Sequence, residues 1–441
     1  MQKKVLNNAG WIVGCKVIKA ILMLIVTAIT ARYLGKEKYG IITYASGLCA
    51  FVVPIMQLGI SSTFVHEITN RPGQDGKVVG TIIGMSMTSA LFCILGIVSF
   101  SMIATAGQQE TILVCSIYSI MLFFNAMEMI QYWFQAKLMA KYSALAMMLS
   151  YVGVSLFQIL LVVFKADVYL FAISYSLDFF LIAIILLVIF KKKSGQKLSF
   201  SLSLAKELLS VSKFYIIANL METIYIHTDV VMLNFMAGEA ETGIYGAAWN
   251  CANMFNFVFA AIIDSMRPTI YEGKNKDQKT FESRTLELFS ILFYFSLLVA
   301  VMMTLFSPLV VKIMYGVDYV EAVDVLRISI WMTTFSYVGT ARSAWMLAED
   351  KHKYLWIINL VGVILNVAVN YALIPIMGAF GAAIASVATQ FISNVLLNFL
   401  IKPMRPCGVL MLRSFNPKYI KNIFVSLRKG KSDELMNEEL K

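Results

Sequence analysis

The chain has 441 residues, 59% of them hydrophobic and only 14% charged, with a mean hydropathy of +0.74; a soluble domain carries roughly 25% charged residues. That balance excludes a soluble enzyme, and the roughly 260 apolar positions suffice for about a dozen helices of the roughly 20 residues needed to cross a bilayer. The net charge of +11 does not call for a nucleic-acid partner, because the excess is spread over loops and a tail that would lie beside an anionic lipid leaflet.

In chain order, apolar segments fall near residues 9–31, 40–65, 78–104, 111–136, 143–164 and 168–190. The first is too long and too lysine-rich for a signal sequence and reads as a permanent span. After Lys191-Lys192-Lys193 and a polar linker, six more follow near 214–236, 243–266, 287–311, 325–347, 354–376 and 379–401. Lipid offers no partner to an exposed backbone amide, so spans of this length must be helices. The expectation is an all-α integral membrane protein of about twelve transmembrane helices. Its parts are an N-terminal lobe (1–195, helices 1 to 6), a cytoplasmic linker with an interfacial helix (196–213), a C-terminal lobe (214–405, helices 7 to 12) and a basic amphipathic tail (406–441).

An even number of spans puts both termini in one compartment. About 28 of the 37 Lys and Arg residues fall in the tails and even-numbered loops, about six in the odd-numbered loops and three within spans, which makes the even side cytoplasmic. The odd-side loops are too short for an external domain, so function must reside among the helices. Leu204, Leu208 and Val211, and Ile420, Ile423, Phe424 and Leu427, recur at helical spacing beside basic residues and read as interfacial amphipathic helices. The six cysteines lie mostly in apolar stretches without paired spacing and suggest neither a disulfide framework nor a metal site. There is no GxxxxGK[ST] phosphate loop, so ATP hydrolysis by this chain is not expected.

The two halves repeat each other. Leu34-Gly35-Lys36-Glu37-Lys38-Tyr39-Gly40-Ile41 corresponds to Ala237-Gly238-Glu239-Ala240-Glu241-Thr242-Gly243-Ile244 at an offset of 203 residues. Trp133, Ala136, Lys141 and Tyr142 recur as Trp345, Ala348, Lys353 and Tyr354 at an offset of 212. Six spans per half make the repeats parallel, related by a pseudo-twofold along the membrane normal, with substrate expected at their interface. Small residues such as Gly378, Gly381, Ala382, Ala383 and Ala385 would supply close, slippery helix contacts.

Three motifs, in this order, carry a family likeness: Ala31-Arg32-Tyr33-Leu34-Gly35 with Tyr39-Gly40, the stretch from Asp229 to Gly243, and Pro375 to Ser386. With them the chain resembles the Wzx O-antigen flippases, the polysaccharide-exporter branch of the multidrug/oligosaccharidyl-lipid/polysaccharide superfamily, over about residues 5–405. The resemblance implies a fold like that of the multidrug exporters, with two six-helix lobes. It also implies movement of an undecaprenyl-pyrophosphate-linked sugar repeat unit across the bacterial inner membrane by alternating access. The unit implied is monomeric, beside glycosyltransferases and a polymerase, with no cofactor and with H⁺ or Na⁺ coupling left open.

Ionisable residues within spans are functional candidates, each costing roughly 2.5 to 3.5 kcal/mol at a helix centre. Lys16 and Lys19 share one face of helix 1, and Lys19 lies roughly 15 Å from that span's start, too deep to snorkel easily. Both are expected to line the cavity and attract pyrophosphate, against the alternative of a buried structural ion pair. Glu222, the 203-offset counterpart of Lys19, would pair with it in the empty state, and Glu222, His227 and Asp229 would carry a proton or Na⁺ relay. Arg342 would bind phosphate or pair with Glu128 or Asp178. Asp264 and Arg267 read as an interfacial pair, and Trp133 and Tyr245 are among the aromatics that could stack on sugars. Two other functions remain open at this point: an ion-coupled multidrug exporter of the same superfamily, which a lysine-lined cavity disfavours, and a membrane glycan polymerase or transferase, which the short external loops disfavour.

Overall fold

The computed structural model describes residues 2–105 and 107–420, with the backbone alone for residues 2–13, 16, 62, 214, 218, 222 and 225. The described residues form helices and turns with no strand. The long elements are α1 (Gln2–Met56), α2 (Asp75–Ala104), α3 (Gln109–Ala136, interrupted near Ile120 and Met129), α4 (Ala140–Val163), α5 (Val168–Ser194) and α6 (Leu202–Ala237). They continue with α7 (Glu239–Ala252), α8 (Asn256–Lys276), α9 (Gln278–Met314), α10 (Ala322–Ala348), α11 (Leu355–Phe391) and α12 (Arg405–Ser414).

Local chemistry sets several boundaries. Asp167 caps α5 by accepting from the Val168 N–H at 2.7 Å, and Lys191, Lys192 and Lys193 occupy the last turn, where cations complement the helix dipole. Ser201 caps α6, and Asp277 caps α9 by accepting from the Thr280 N–H at 2.8 Å. Gly35 (φ 71°, ψ 170°) breaks α1, and Gly238 (φ 90°, ψ −176°) separates α6 from α7. Those conformations favour glycine because a Cβ there meets the backbone.

Among the described residues, seven helices are long and apolar enough to cross a membrane, or nine when each of two bent pairs counts as one span. Two of the seven are themselves broken, at Gly35 and at Gly378 (φ 54°, ψ −133°). A count of twelve follows only if both breaks separate spans and the charged helix α10 is added.

The repeat seen in the sequence returns in the backbone. Gly35 and Gly238, 203 residues apart, adopt the same conformation. Leu138 (φ 55°) and Asp350 (φ 52°), 212 apart, both end a helix in the left-handed region. Around them the hydrogen bonds match as well: Lys137 N–H to Trp133 O and Glu349 N–H to Trp345 O are both 3.0 Å. Met139 N–H to Phe134 O is 2.8 Å, and its counterpart Lys351 N–H to Met346 O is 2.7 Å.

Packing divides the chain into a unit of Met1–Gly246 and a unit of Ala247–Lys441. In the first, α1 packs against α4 and α6, and an aromatic-rich core closes the end that bears the even-numbered loops. That core gathers Phe64, Trp133, Phe134 and Phe190 with Leu204 and Leu208 from the start of α6. The segment expected at the lipid interface is continuous with α6, and two of its leucines, Leu204 and Leu208, are protein core, while Val211 is exposed. The tail residues Ile423, Phe424 and Leu427 lie outside the described residues.

The second unit stacks Phe259 of α8 on Tyr337 of α10, with ring centroids 3.7 Å apart, and carries a π-helical turn, Ile392–Leu396, after α11. Tyr294 of α9 donates to the Phe415 carbonyl at 2.7 Å, fixing the end of α12.

Candidate functional site: a lysine-lined cavity among the first helices

Lys19 is held on the arm of α1 that precedes Gly35, half-buried, with its ammonium 5.1 Å from the centroid of the Tyr151 ring on α4. It lines a cavity of about 230 Å³ together with Cys15, Gln131, Gln135, Ala140, Ser143, Ala144, Met147 and Met148. The walls come from α1, the end of α3 and the start of α4. An ammonium among amide and hydroxyl groups, with thioethers as adaptable apolar wall, suits an anion attached to a polar body.

Behind the lysine lie two buried carboxylates, Glu128 on α3 and Asp178 on α5. Both are within Coulombic range of Lys19, and Asp178 also acts on Glu128. Asn125 and Gln131 donate to the Glu128 carboxylate at 3.4 and 3.3 Å, and Ser150 donates to Asp178 Oδ1 at 2.7 Å. These bonds offset the desolvation of charge in an apolar layer. These two carboxylates belong to the same half of the chain as Lys19, whereas the repeat offset selected Glu222. The side chains of Glu222 and Lys16 lie outside the described residues.

The other candidates are dispersed. Asp229 is buried on α6 and accepts from the Tyr245 hydroxyl of α7 at 2.8 Å, so this tyrosine is tied to a carboxylate. His227, half-buried, is two residues away on the same helix. Arg342 is buried in the second unit, where its guanidinium donates to Ser393 O at 3.1 Å, Asn394 Oδ1 at 3.2 Å and Asn398 Oδ1 at 3.3 Å. These are the partners of a helix-packing arginine, and the π-helical turn supplies two of them. Trp133 is core, edge-on to Phe134 and Phe190. Asp264 and Arg267 form the expected i,i+3 pair at 3.5 Å. Among the described residues, no cluster of three or more His, Cys, Asp or Glu could hold a metal ion.

Sequence reasoning missed Lys38. Its ammonium bonds Asp167 at 3.1 Å and lies 3.6 Å from Glu110, joining the loop ends of α1, α3 and α5. The Lys38 bond, followed by the Val168 N–H, holds the Asp167 carboxyl below its ordinary value. The one signal available was an Asp placed just before an apolar run, the position of a helix cap.

An all-helical membrane protein with kinked helices and ionisable groups inside a helix-walled cavity defines a class, and the fold matches that of the multidrug/oligosaccharidyl-lipid/polysaccharide superfamily. The chain aligns with the lipid II flippase MurJ in an inward closed conformation at a TM-score of 0.71, 16% identity, and coverage of 96% of this chain and 93% of that one. An inward-facing multidrug resistance transporter of the MATE family aligns at 0.67, also 16% identical, over 90% of this chain and 96% of that one. A profile described as MatE matches residues 215–372.

The chain belongs to the family described as polysaccharide biosynthesis protein, whose profile matches residues 5–274. Among curated proteins it is similar to the probable flippase AglR of Haloferax volcanii, 26% identical over 203 residues, covering 44% of this chain and 41% of the relative. An uncharacterized membrane protein of Methanocaldococcus jannaschii is 24% identical over 234 residues, 49% of this chain and 45% of the relative. The chain thus spans somewhat under half the length of the curated relatives it matches.

Proposed function

We propose that this protein is a flippase for lipid-linked oligosaccharides, moving an undecaprenyl-pyrophosphate-linked repeat unit across the bacterial inner membrane for O-antigen, capsule or exopolysaccharide synthesis. The observation that carries this reading is Lys19 lining a helix-walled cavity with amide and hydroxyl neighbours. Membership of a polysaccharide biosynthesis family and similarity to a probable flippase support it. In this reading twelve spans form two six-helix lobes, residues 1–195 and 214–405, with both termini cytoplasmic. The protein works as a monomer beside glycosyltransferases and a polymerase.

The chemistry at Lys19 gives a coupling scheme. With the cavity empty, Lys19 offsets part of the charge of Glu128 and Asp178. A phosphate that draws Lys19 to itself leaves two buried carboxylates short of a cation, and proton uptake restores neutrality. Lys16 adds to the phosphate site. Glu222, His227 and Asp229 on α6 form a second group of titratable residues through which H⁺ or Na⁺ acts. Transport indifferent to both pH and Na⁺ removes the coupling scheme.

The test is complementation of a flippase-null bacterium, reading surface glycan and accumulated lipid-linked repeat unit. A charge-assisted contact contributes about 1.5 to 3 kcal/mol, so Lys19→Ala should lower transport about 10- to 150-fold and accumulate intermediate facing the cytoplasm. Full transport by that variant counts against the site. The MatE profile match favours a second reading, an ion-coupled multidrug exporter. Resistance to cationic drugs without complementation of any glycan pathway would select it, although an ammonium in the cavity opposes a cationic cargo.

A further inference from the structure

At the end of the first unit that bears the odd-numbered loops, the two sequence repeats touch each other residue for residue. A Cβ on Gly40 would overlap the carbonyl oxygen of Glu239, and a Cβ on Gly243 would overlap the carbonyl oxygen of Lys36. Lys36 and Glu239 are counterparts at the 203 offset, and so are Gly40 and Gly243. The same face continues one turn on: a Cβ on Gly246, the counterpart of Thr43, would lie 2.7 Å from Thr43 Oγ1. Each contact is made just past a positive-φ break, Gly35 in one repeat and Gly238 in the other.

Two backbones meet here without an intervening side chain. Glycine permits that approach, and a seam of bare backbone excludes water while presenting no interlocking side chains to separate. Around it Lys38 is tied to Glu110 and Asp167 of its own half, and the Thr111 hydroxyl of the first half donates to Glu239 of the second.

We propose that the reciprocal crossing of Gly40 with Glu239 and of Gly243 with Lys36 is a clasp that shuts the odd-loop end of the protein and parts once in each transport cycle. The proposal rests on the transporter reading for its purpose. Its mechanical part can be read without any transported substrate.

The first measurement uses full-length Thr43→Cys/Gly246→Cys in membranes. The Gly246 Cβ position lies 3.3 Å from Thr43 Cβ, close to the 3.5 to 4.5 Å that a disulfide spans. Oxidation should crosslink the pair and lower surface-glycan export at least about tenfold, and a reductant should restore it. A complete crosslink with unchanged export makes the crossing a permanent seam, and failure to crosslink removes the contact; either overturns the proposal.

The second measurement places Glu239→Cys in a Gly40→Ala background and follows labelling by a membrane-impermeant maleimide from the odd-loop side. The added methyl should hold the clasp open and raise the labelling rate about fivefold or more over the Gly40 parent. An unchanged rate in correctly inserted protein overturns the proposal. Faster labelling in a protein that complements no glycan pathway keeps the clasp and rejects the flippase reading.

Discussion

The two ends of the first unit are held together by opposite means. At the even-loop end, aromatic core and polar lacing fasten the chain. The linker after α5 runs along α2, where the Gly76 N–H donates to Gln196 Oε1 at 2.7 Å, the Ser199 N–H to Gly76 O at 3.2 Å and the Ser201 N–H to Thr81 Oγ1 at 3.0 Å. Arg71 then bridges Glu67, at 3.0 Å, and Glu207 of α6. At the odd-loop end, Gly40 and Gly243 bring backbones into direct contact. Glycine serves both ends, as a bed for an extended strap at one and as a reciprocal crossing at the other. The strap is bound by directional hydrogen bonds along its length, whereas the crossing sets bare backbone on backbone with the Thr111–Glu239 bond beside it, so one end suits permanence and the other suits opening.

The largest expected effect lies in the aromatic core. Trp133→Ala removes a side chain wedged between Phe134 and Phe190 and should cost about 3 to 5 kcal/mol, read as a loss of folded protein in detergent melts. A loss below about 1 kcal/mol would mean that this end is as loosely held as the other.

Next comes the strap. A Cβ on Gly80 would lie 2.6 Å from Ser199 O, so Gly80→Ala must displace the linker and should cost about 1 to 3 kcal/mol by overpacking. Protease cleavage between residues 195 and 201 should rise in step, and an uncut linker would argue that the strap moves without strain.

A smaller effect is expected at Lys38. Lys38→Ala should lower stability by about 0.2 to 1 kcal/mol, because the pair is exposed and solvent screens it. The sign with pH follows from Asp167, whose carboxyl is depressed in the folded state. Its contribution is present above the unfolded carboxylate value of about 3.9 and is lost as pH falls through the lower folded value. The stability gap between parent and Lys38→Ala should therefore close below about pH 4, and a gap that persists there would assign the effect to something other than this pair.

A change of the same small size concerns Arg71→Gln, expected to cost about 0.2 to 1 kcal/mol with a strong dependence on salt. Its guanidinium stays charged because the bond to Glu67, then that to Glu207, raises its already high value. An effect that ignores ionic strength would show that Arg71 acts through packing.

The ionisable residues near the cavity were legible from charge placement, because an ion within an apolar run stands out against the cost of burying it. Lys19, Glu128 and Asp178, which the structure brings near one another, each stand out that way. Their partners do not. The repeat offset pointed from Lys19 to Glu222, while the carboxylates on which Lys19 acts come from α3 and α5, more than 100 residues later, and helix packing within the unit brings α1, α3 and α4 around one cavity. Arg342 was legible as an ion and illegible as a helix-packing residue, since its acceptors are amides and a carbonyl from a π-helical turn.

By itself, the sequence determined that this is a helical membrane protein built from a duplicated unit. Apolar run length meets bilayer thickness without reference to any neighbour, and positive-φ glycines write the repeat into local backbone chemistry. Only the tertiary structure decided which charges meet, that Leu204 and Leu208 face protein core, and that the two glycine motifs press on each other. Those outcomes depend on side-chain direction and interhelical distance between segments far apart in the chain, quantities that a hydropathy pattern does not contain.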